Sequence, residues 1–156
     1  MPTDMPTDED RRAHTDRIVD ALLDSLRRND MRAFADLWAP DGTVQFPFAP
    51  PGYPVLRSRD EVWDYVKDFD SVIRLGTITE HRRHHTLDPG TAIVEYSGDG
   101  VAVQTGSDYR MGYISVITTG PDGIVEFKDY WNSLAAVTAL GGVDAVMTAF
   151  TQERNA

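Results

Sequence analysis

The fold of this chain is decided by residues 123–134, which read GIVEFKDYWNSL. A Gly-Pro-Asp-Gly turn at 120–123 precedes a run whose side chains alternate between two faces, as in a β-strand. Four residues share one of these faces: Val125, Phe127, Asp129 and Trp131. The alternation therefore predicts a strand whose inward face is apolar and aromatic apart from a single carboxylate.

Asp129 is the candidate for chemistry on this strand. An acid surrounded by aromatic side chains is costly to ionise, so we expect its pKa to be raised. A carboxylate with a raised pKa can transfer protons near neutral pH. The structural alternative is that Asp129 pairs with an arginine or caps a backbone amine near the end of the sheet.

Length and composition narrow the class of protein. The chain has 156 residues, which indicates one domain, and we expect it at 13–152 after a flexible leader at 1–12. A net charge of -10 argues against a nucleic-acid surface. The absence of cysteine excludes disulfides, a thiol nucleophile and thiolate metal ligands. No apolar run has membrane-spanning length and no signal peptide is evident, so we expect a cytoplasmic protein that does not bind membranes.

The N-terminal third predicts two helices. Thr7 is a plausible N-cap for the first, whose apolar stripe runs from Ile18 to Leu26. This helix should end near Asn29, where Asp30 can cap a shorter helix that extends to Trp38. Residues 39–42, Ala-Pro-Asp-Gly, then predict a turn.

A strand and a third helix follow. Residues 43–48 alternate, with Val44, Phe46 and Phe48 on one face. The proline-rich segment 47–54 is best interpreted as a rigid loop. Ser58 and Glu61 have the spacing of a capping box and should begin the third helix.

The C-terminal half is rich in β-branched residues and turn signals. It predicts strands near 76–87, 91–103, 108–119 and 123–132, followed by a helical stretch that Asn132 can cap. Helices, a curved antiparallel sheet wrapped around them and a closing helix make an α+β architecture with a cone-shaped cavity. Such a cavity predicts a small-molecule site.

Several residues are candidates for the cavity. Tyr96 and Tyr113 are candidates for inward hydroxyls that hold a substrate carbonyl, although tyrosine also serves as a polar-tipped core residue. The expected ligand-binding wall consists of apolar and aromatic residues: Leu23, Leu26, Phe46, Trp63, Met111, Phe127 and Trp131. The aromatic stripe of the third helix is, however, more typical of a core than of a binding site.

Three histidines lie in the strand predicted at 76–87. His81 and His85 share a face, but a metal site would need a third ligand, so we predict no metal and interpret this polar run as a solvated face or dimer rim. His84 falls on the other face and is a second candidate acid or base, since histidine titrates in the useful range.

The order of elements resembles the nuclear transport factor 2-like superfamily. The nearest branch is the SnoaL-like polyketide cyclase and phenazine-biosynthesis A/B group, with similarity to limonene-1,2-epoxide hydrolase. The resemblance spans about residues 15–142 and rests on Asn29-Asp30, on the turn at 39–42 and on Lys128–Asn132.

The resemblance implies a site and a chemistry. Asp129 falls where these enzymes have an acidic catalytic residue. The epoxide hydrolase also has an Arg and an Asp on its middle strand, where this chain has Tyr96 and Gly98, and its water-holding Tyr and Asn fall at Val44 and Phe46. The groups that position hydrolytic water are therefore missing.

The resemblance thus implies a cofactor-free cyclase or isomerase of secondary metabolism that acts on a small hydrophobic substrate, and a homodimer formed through the sheet. Its chemistry would be proton transfer next to a carbonyl, or epoxide opening by the substrate's own hydroxyl. The alternatives are a non-catalytic module that binds a hydrophobic ligand or partner, and a hydrolase that uses His84 as its base.

Overall fold

The structure is a computed structural model and describes residues 4–150. The described chain forms helices and strands with these bounds: α1 (Asp8–Arg27), α2 (Met31–Ala35), β1 (Trp38–Gln45), α3 (Arg59–Val66), α4 (Phe69–Val72), β2 (Ile73–His85), β3 (Thr91–Ala102), β4 (Asp108–Gly120), β5 (Gly123–Trp131), α5 (Ser133–Leu140) and α6 (Val143–Phe150).

Helix α1 begins with the cap that the sequence predicts. The Thr7 hydroxyl accepts a hydrogen bond from the Asp10 amide (3.1 Å), and the Asp10 carboxylate accepts one from the Thr7 amide (3.0 Å). Residues 8–12 are therefore helical, which shortens the expected leader at 1–12. Residues 1–3 of that leader, and residues 151 and 152 of the expected domain, lie outside the described range.

The turn after α1 is held by Asn29. Its backbone has a positive φ of 51°, and its side chain brackets the backbone of Leu75, donating to the carbonyl (2.8 Å) and accepting from the amide (3.0 Å). Asp30 then caps α2 by accepting a hydrogen bond from the Ala33 amide (3.0 Å). These contacts confirm the predicted helix stop and cap, and they join the α1–α2 turn to β2.

The predicted start of the first strand was wrong. Strand β1 begins at Trp38, which was expected in α2, and the expected turn at 39–42 is an irregularity within the strand. The strand ends at Gln45. Val44 and Phe46 lie on one face as predicted, since both line the cavity described below, but Phe48 does not and is exposed.

The strands form one open sheet in the order β1-β5-β4-β3-β2. β1 pairs with β5 in parallel, whereas the other pairs are antiparallel. The pairing register shifts between β2 and β3 and again between β4 and β5. Helix α1 packs against β2, β3 and β4, so its apolar stripe forms the core with the concave face of the sheet. This architecture confirms the predicted α+β class with a curved sheet over N-terminal helices.

The C-terminal helices close the structure. The Asn132 carboxamide oxygen accepts hydrogen bonds from the amides of Leu134 (3.0 Å) and Ala135 (3.3 Å), which confirms it as the cap of α5. Helices α5 and α6 meet at 92°. Within residues 4–150 no single helix is long and apolar enough to cross a bilayer, and only this bent pair, taken together, reaches that length and composition.

Candidate functional site

A cavity lies between the concave face of the sheet and the helices. Its volume is about 100 Å³, several times the space that one water molecule needs. In the part of the chain that the structure describes, its walls are apolar except for six side chains: Tyr53, Tyr65, Tyr96, Tyr109, Tyr113 and Asp129. No lysine, arginine or histidine among the described residues lines it.

Strand β5 presents Asp129 to this cavity between Phe127 and Trp131, as the alternation predicts. Val125 was expected on the same face but is 41% exposed, while Ile124 is buried. The reason is a β-bulge. Thr118 pairs with Glu126 and the next residue, Thr119, pairs with Ile124, so no residue of β4 pairs with Val125.

The environment of Asp129 favours its neutral form. Burial raises the pKa of Asp129 to about 7, and a hydrogen bond from Ser115 acts in the opposite direction. The predicted direction of the pKa shift is therefore confirmed. Neither structural alternative applies, because the Ser115 hydroxyl is the only group of the described residues that hydrogen-bonds to the Asp129 side chain (3.3 Å).

Ser115 is one of the site residues that the sequence predictions omit. It lies directly opposite Asp129 in the β4–β5 register and is fully buried. Its hydroxyl also lies 3.0 Å from the Tyr96 hydroxyl, so it links Tyr96 to Asp129. The alternation of β4 contains the signal, because Ser115 shares its parity with Met111 and Tyr113.

Strands β3 and β4 supply most of the hydroxyl groups. Tyr96 and Tyr113 are cross-strand neighbours whose rings stack with centroids 5.0 Å apart, and both reach the cavity as predicted. The Tyr113 hydroxyl lies 2.5 Å from that of Tyr109, a residue that was not predicted. Burial, and to a lesser degree the charge of Asp129, raises the pKa of Tyr96, Tyr109 and Tyr113, so these phenols stay neutral near pH 7.

The opposite wall is also aromatic. Tyr53, from the proline-rich loop, and Tyr65, from α3, share a short hydroxyl–hydroxyl contact. The ring of Tyr65 packs against Phe46, with centroids 5.1 Å apart. The cavity thus offers hydroxyl donors on two walls and one titratable acid.

Most of the predicted wall residues line the cavity: Leu26, Phe46, Met111, Phe127 and Trp131. Two do not. Leu23 is buried in the core at 2% exposure, and Trp63 stacks under the guanidinium of Arg32, 4.8 Å from the ring centroid. On α3 it is Val62, Tyr65 and Val66 that face the cavity, and Trp63 is rotated away from them.

His84 does not reach the cavity. It shares the outer face of the sheet with Glu95, and its Nε2 lies 2.6 Å from the Glu95 carboxylate. His81 contacts the Ser97 hydroxyl (2.8 Å) and His85 contacts Asp16 (3.0 Å). Among residues 4–150, no three potential ligand side chains are grouped to hold a metal ion.

The fold and the site define a class: an α+β protein with one acid in an apolar, tyrosine-lined cavity. The chain belongs to the SnoaL-like family, whose domain matches residues 19–127. A PhzA/B-like protein of Pseudomonas aeruginosa is 38% identical over 128 residues, which cover 80% of this chain and 90% of that protein.

Solved structures share the fold. A candidate isomerase from Bacillus subtilis is 33% identical, with a TM-score of 0.78 over 87% of this chain and 96% of its own. A candidate polyketide cyclase from Xanthomonas campestris (15% identical, TM-score 0.70, 83% and 98% covered) and an epoxide hydrolase from M. tuberculosis (16% identical, TM-score 0.63, 87% and 96% covered) share the fold alone. These neighbours agree with the family resemblance that the sequence suggested.

Proposed function

We propose that this protein is a cyclase or isomerase of polyketide-type secondary metabolism, which acts on a small hydrophobic substrate without a cofactor. Asp129 is its general acid–base. The observation that carries the proposal is the position of Asp129: among residues 4–150 it is the only carboxylate on an apolar cavity wall, and burial raises its pKa to about 7. At that pKa the carboxylate and the acid are both present near neutral pH.

In the proposed reaction, Asp129 acts on a carbonyl compound. Its carboxylate takes a proton from the carbon next to the carbonyl, so the C–H bond breaks, an O–H bond forms on Asp129 and the electron pair moves to the carbonyl oxygen. Where a neighbouring C=C bond extends the conjugation, the resulting enolate regains the proton at another carbon, which gives an isomer. Otherwise it attacks a second carbonyl. In the second case Asp129 protonates the new alkoxide and a ring is closed.

The cavity supplies the other needs of such a reaction. The phenol groups are hydroxyl donors for the substrate oxygen, and Tyr96 and Tyr113 lie nearest in the register to Ser115 and Asp129. The apolar walls hold the substrate in a folded conformer, which favours ring closure. The name of the similar B. subtilis protein, a candidate isomerase, supports this class of chemistry.

A proton-exchange assay tests the proposal. A panel of apolar cyclic ketones and 1,3-diketones is incubated in D₂O, and the loss of hydrogen next to the carbonyl is followed by proton NMR. We expect the protein to accelerate exchange, and Asp129→Asn to lower the rate by about 10²–10⁴-fold. Asp99→Asn is the matched control, since Asp99 is an exposed acid of the same sheet. Exchange that is undiminished in Asp129→Asn would contradict the proposal.

The same panel separates the alternatives. If the protein is a non-catalytic module, the wild type and Asp129→Asn should bind a panel compound with equal affinity in calorimetry. Neither should then accelerate exchange. A hydrolase related to the epoxide hydrolases would incorporate label from H₂¹⁸O into an apolar epoxide. A hydrolase that depended on His84 would lose this activity in His84→Ala, although His84 lies outside the cavity.

We also propose that the protein is a cytoplasmic homodimer formed through the outer face of the sheet. Ile114 is exposed on this face, and the ring of Phe48 packs edge-on against Tyr130 beside it, with centroids 5.1 Å apart. An exposed apolar patch of this kind is typical of an interaction surface. Sedimentation velocity should give a dimer that Ile114→Lys converts to a monomer, and a monomeric unmodified protein would contradict the proposal.

A further inference from the structure

A chain of three side chains runs from the cavity into the sheet and back to Asp129. The Tyr96 hydroxyl lies 3.0 Å from Ser115 Oγ, and Ser115 Oγ lies 3.3 Å from Oδ1 of Asp129. The second contact is long, as catalytic hydrogen bonds often are before substrate is bound. Tyr96 and Asp129 line the cavity, whereas Ser115 is completely buried behind them.

The number of protons in this chain limits its arrangements. Ser115 has one hydroxyl hydrogen, and an ionised carboxylate only accepts hydrogen bonds. While Asp129 is ionised, Ser115 therefore donates to Asp129, and the contact between the two hydroxyls requires Tyr96 to donate to Ser115. The Tyr96 hydrogen is then directed away from the substrate.

Proton transfer changes this arrangement. When Asp129 takes a proton from substrate on its other oxygen, Oδ1 becomes a weaker, neutral acceptor and the negative charge lies on the substrate oxygen. Hydrogen bonds to a charged oxygen are about twice as strong as those between neutral groups. The Tyr96 hydroxyl therefore turns to the substrate oxygen, and Ser115 turns to donate to the Tyr96 oxygen.

We propose that Ser115 is a positioning residue that couples the proton on Asp129 to the direction of the Tyr96 hydroxyl, so that Tyr96 donates to the substrate oxygen only once negative charge has formed there. This inference rests on the proposed function and narrows its substrate class to carbonyl compounds that form an enolate. The Tyr96 proton is shared in a hydrogen bond and not transferred. When Asp129 returns its proton to carbon or alkoxide, the chain reverts.

Other groups on the cavity wall do not interfere with this coupling. Within residues 4–150, the remaining titratable side chains that line the cavity with Asp129 are phenols: Tyr53, Tyr65, Tyr109 and Tyr113. Burial raises the pKa of Tyr65, Tyr109 and Tyr113, so these stay neutral while Asp129 titrates.

The coupling is tested without substrate, by following the Asp129 carboxyl carbon in ¹³C NMR titrations. Ser115→Ala removes the hydrogen bond to the carboxylate and should raise the pKa of Asp129 by about one unit. Tyr96→Phe should raise it by a smaller amount, because Ser115 is then no longer polarised by Tyr96. In the Ser115→Ala background, Tyr96→Phe should have no further effect, and Ser115→Thr, which keeps the hydroxyl, should restore a value near the wild type.

Two outcomes would overturn the proposal. One is an equal effect of Tyr96→Phe in the wild-type protein and in the Ser115→Ala variant. The other is a Tyr96→Phe protein whose Asp129 titrates as in the wild type, and this result decides the question even when Ser115→Ala does not fold. Tyr109→Phe, which removes a cavity hydroxyl outside the chain, should leave the titration nearly unchanged. Since no catalysis is measured, this test fails or succeeds independently of the exchange assay.

Discussion

The hydroxyl oxygens of Tyr109 and Tyr113 lie 2.5 Å apart on the cavity wall. One hydroxyl donates to the other, so the pair keeps a single hydrogen free to donate elsewhere. A second phenol pair, Tyr53 and Tyr65, lies on the opposite wall. The buried phenol hydroxyls of the cavity are therefore hydrogen-bonded to each other in pairs.

Tyr109→Phe and Tyr113→Phe should each lower the free energy of unfolding by about 1 kcal/mol, because each leaves one buried hydroxyl without its partner. The double variant should cost less than the sum of the two, since replacing both partners leaves no unsatisfied group. Urea denaturation of the four proteins measures this coupling. Additive losses would indicate that the two hydroxyls do not depend on each other.

The raised pKa of Asp129 makes stability depend on pH. Burial raises it from an ordinary value of 3.8 to about 7, so between these values the folded chain keeps a proton that the unfolded chain has lost. The free energy of unfolding therefore falls as pH rises through this window, by up to about 4 kcal/mol from this group.

The Asp129→Asn side chain cannot ionise, so this group no longer makes the free energy of unfolding depend on pH. We expect the variant to gain stability relative to the wild type between pH 4 and 7, and to be the more stable protein at pH 8. Urea denaturation at pH 5 and pH 8 measures the difference, with Asp99→Asn as the control that should follow the wild type at both. A variant whose stability differs from the wild type by the same amount at both pH values would show that Asp129 titrates normally.

Local patterns predicted the parts of the site that depend on one element. The alternation of β5 directed Asp129, Phe127 and Trp131 inward, and Asn132 capped the next helix, because each depends on neighbours in the chain. Val125 was misplaced because a bulge is decided by the partner strand. Ser115 was missed for a related reason: its role depends on the register between β4 and β5.

Helix faces were harder to assign than strand faces. Leu23 and Trp63 are apolar like their neighbours, and composition alone does not say which side of a helix meets a cavity and which meets the core. His84 was considered for the site because of its chemistry, but its strand parity directs it to the outer face with Glu95. For His84, the position along the strand therefore predicts the face of the sheet better than the chemistry of the side chain does.

Arg83 joins helix α1 to strand β2, and its loss should destabilise that packing. Its guanidinium contacts the carboxylates of Asp20 (2.7 Å), Glu80 (2.9 Å) and Asp16 (3.2 Å), and its side chain is 17% exposed. Arg83→Met removes the cation that these three acids share, although Asp16 keeps its contact with His85, and should cost about 1–2 kcal/mol. Arg83→Lys should recover only part of the lost stability, because an ammonium group cannot reproduce the planar set of donors of the guanidinium.

Arg110→Met is the control for this prediction, because the Arg110 side chain is 83% exposed and lies 4.0 Å from Asp99. Exposed pairs contribute about 0–1 kcal/mol, so urea denaturation should find the Arg110 variant nearly as stable as the wild type. Equal losses in the two methionine variants would mean that Arg83 contributes no more than a surface ion pair.

Gly123, the first residue of β5, should tolerate no side chain. Its φ is 124°, and a Cβ there would lie 2.4 Å from the carbonyl oxygen of Leu37 and 3.0 Å from the amide nitrogen of Ala39. Gly123→Ala must therefore push β5 away from the start of β1, and we expect a loss of more than about 3 kcal/mol. Gly106→Ala is the matched control: φ is 69°, nothing lies within 4 Å of the added carbon, and only the backbone cost of about 1 kcal/mol should appear. Thermal unfolding followed by circular dichroism compares the two, and similar melting temperatures would contradict the close packing of β5 against β1.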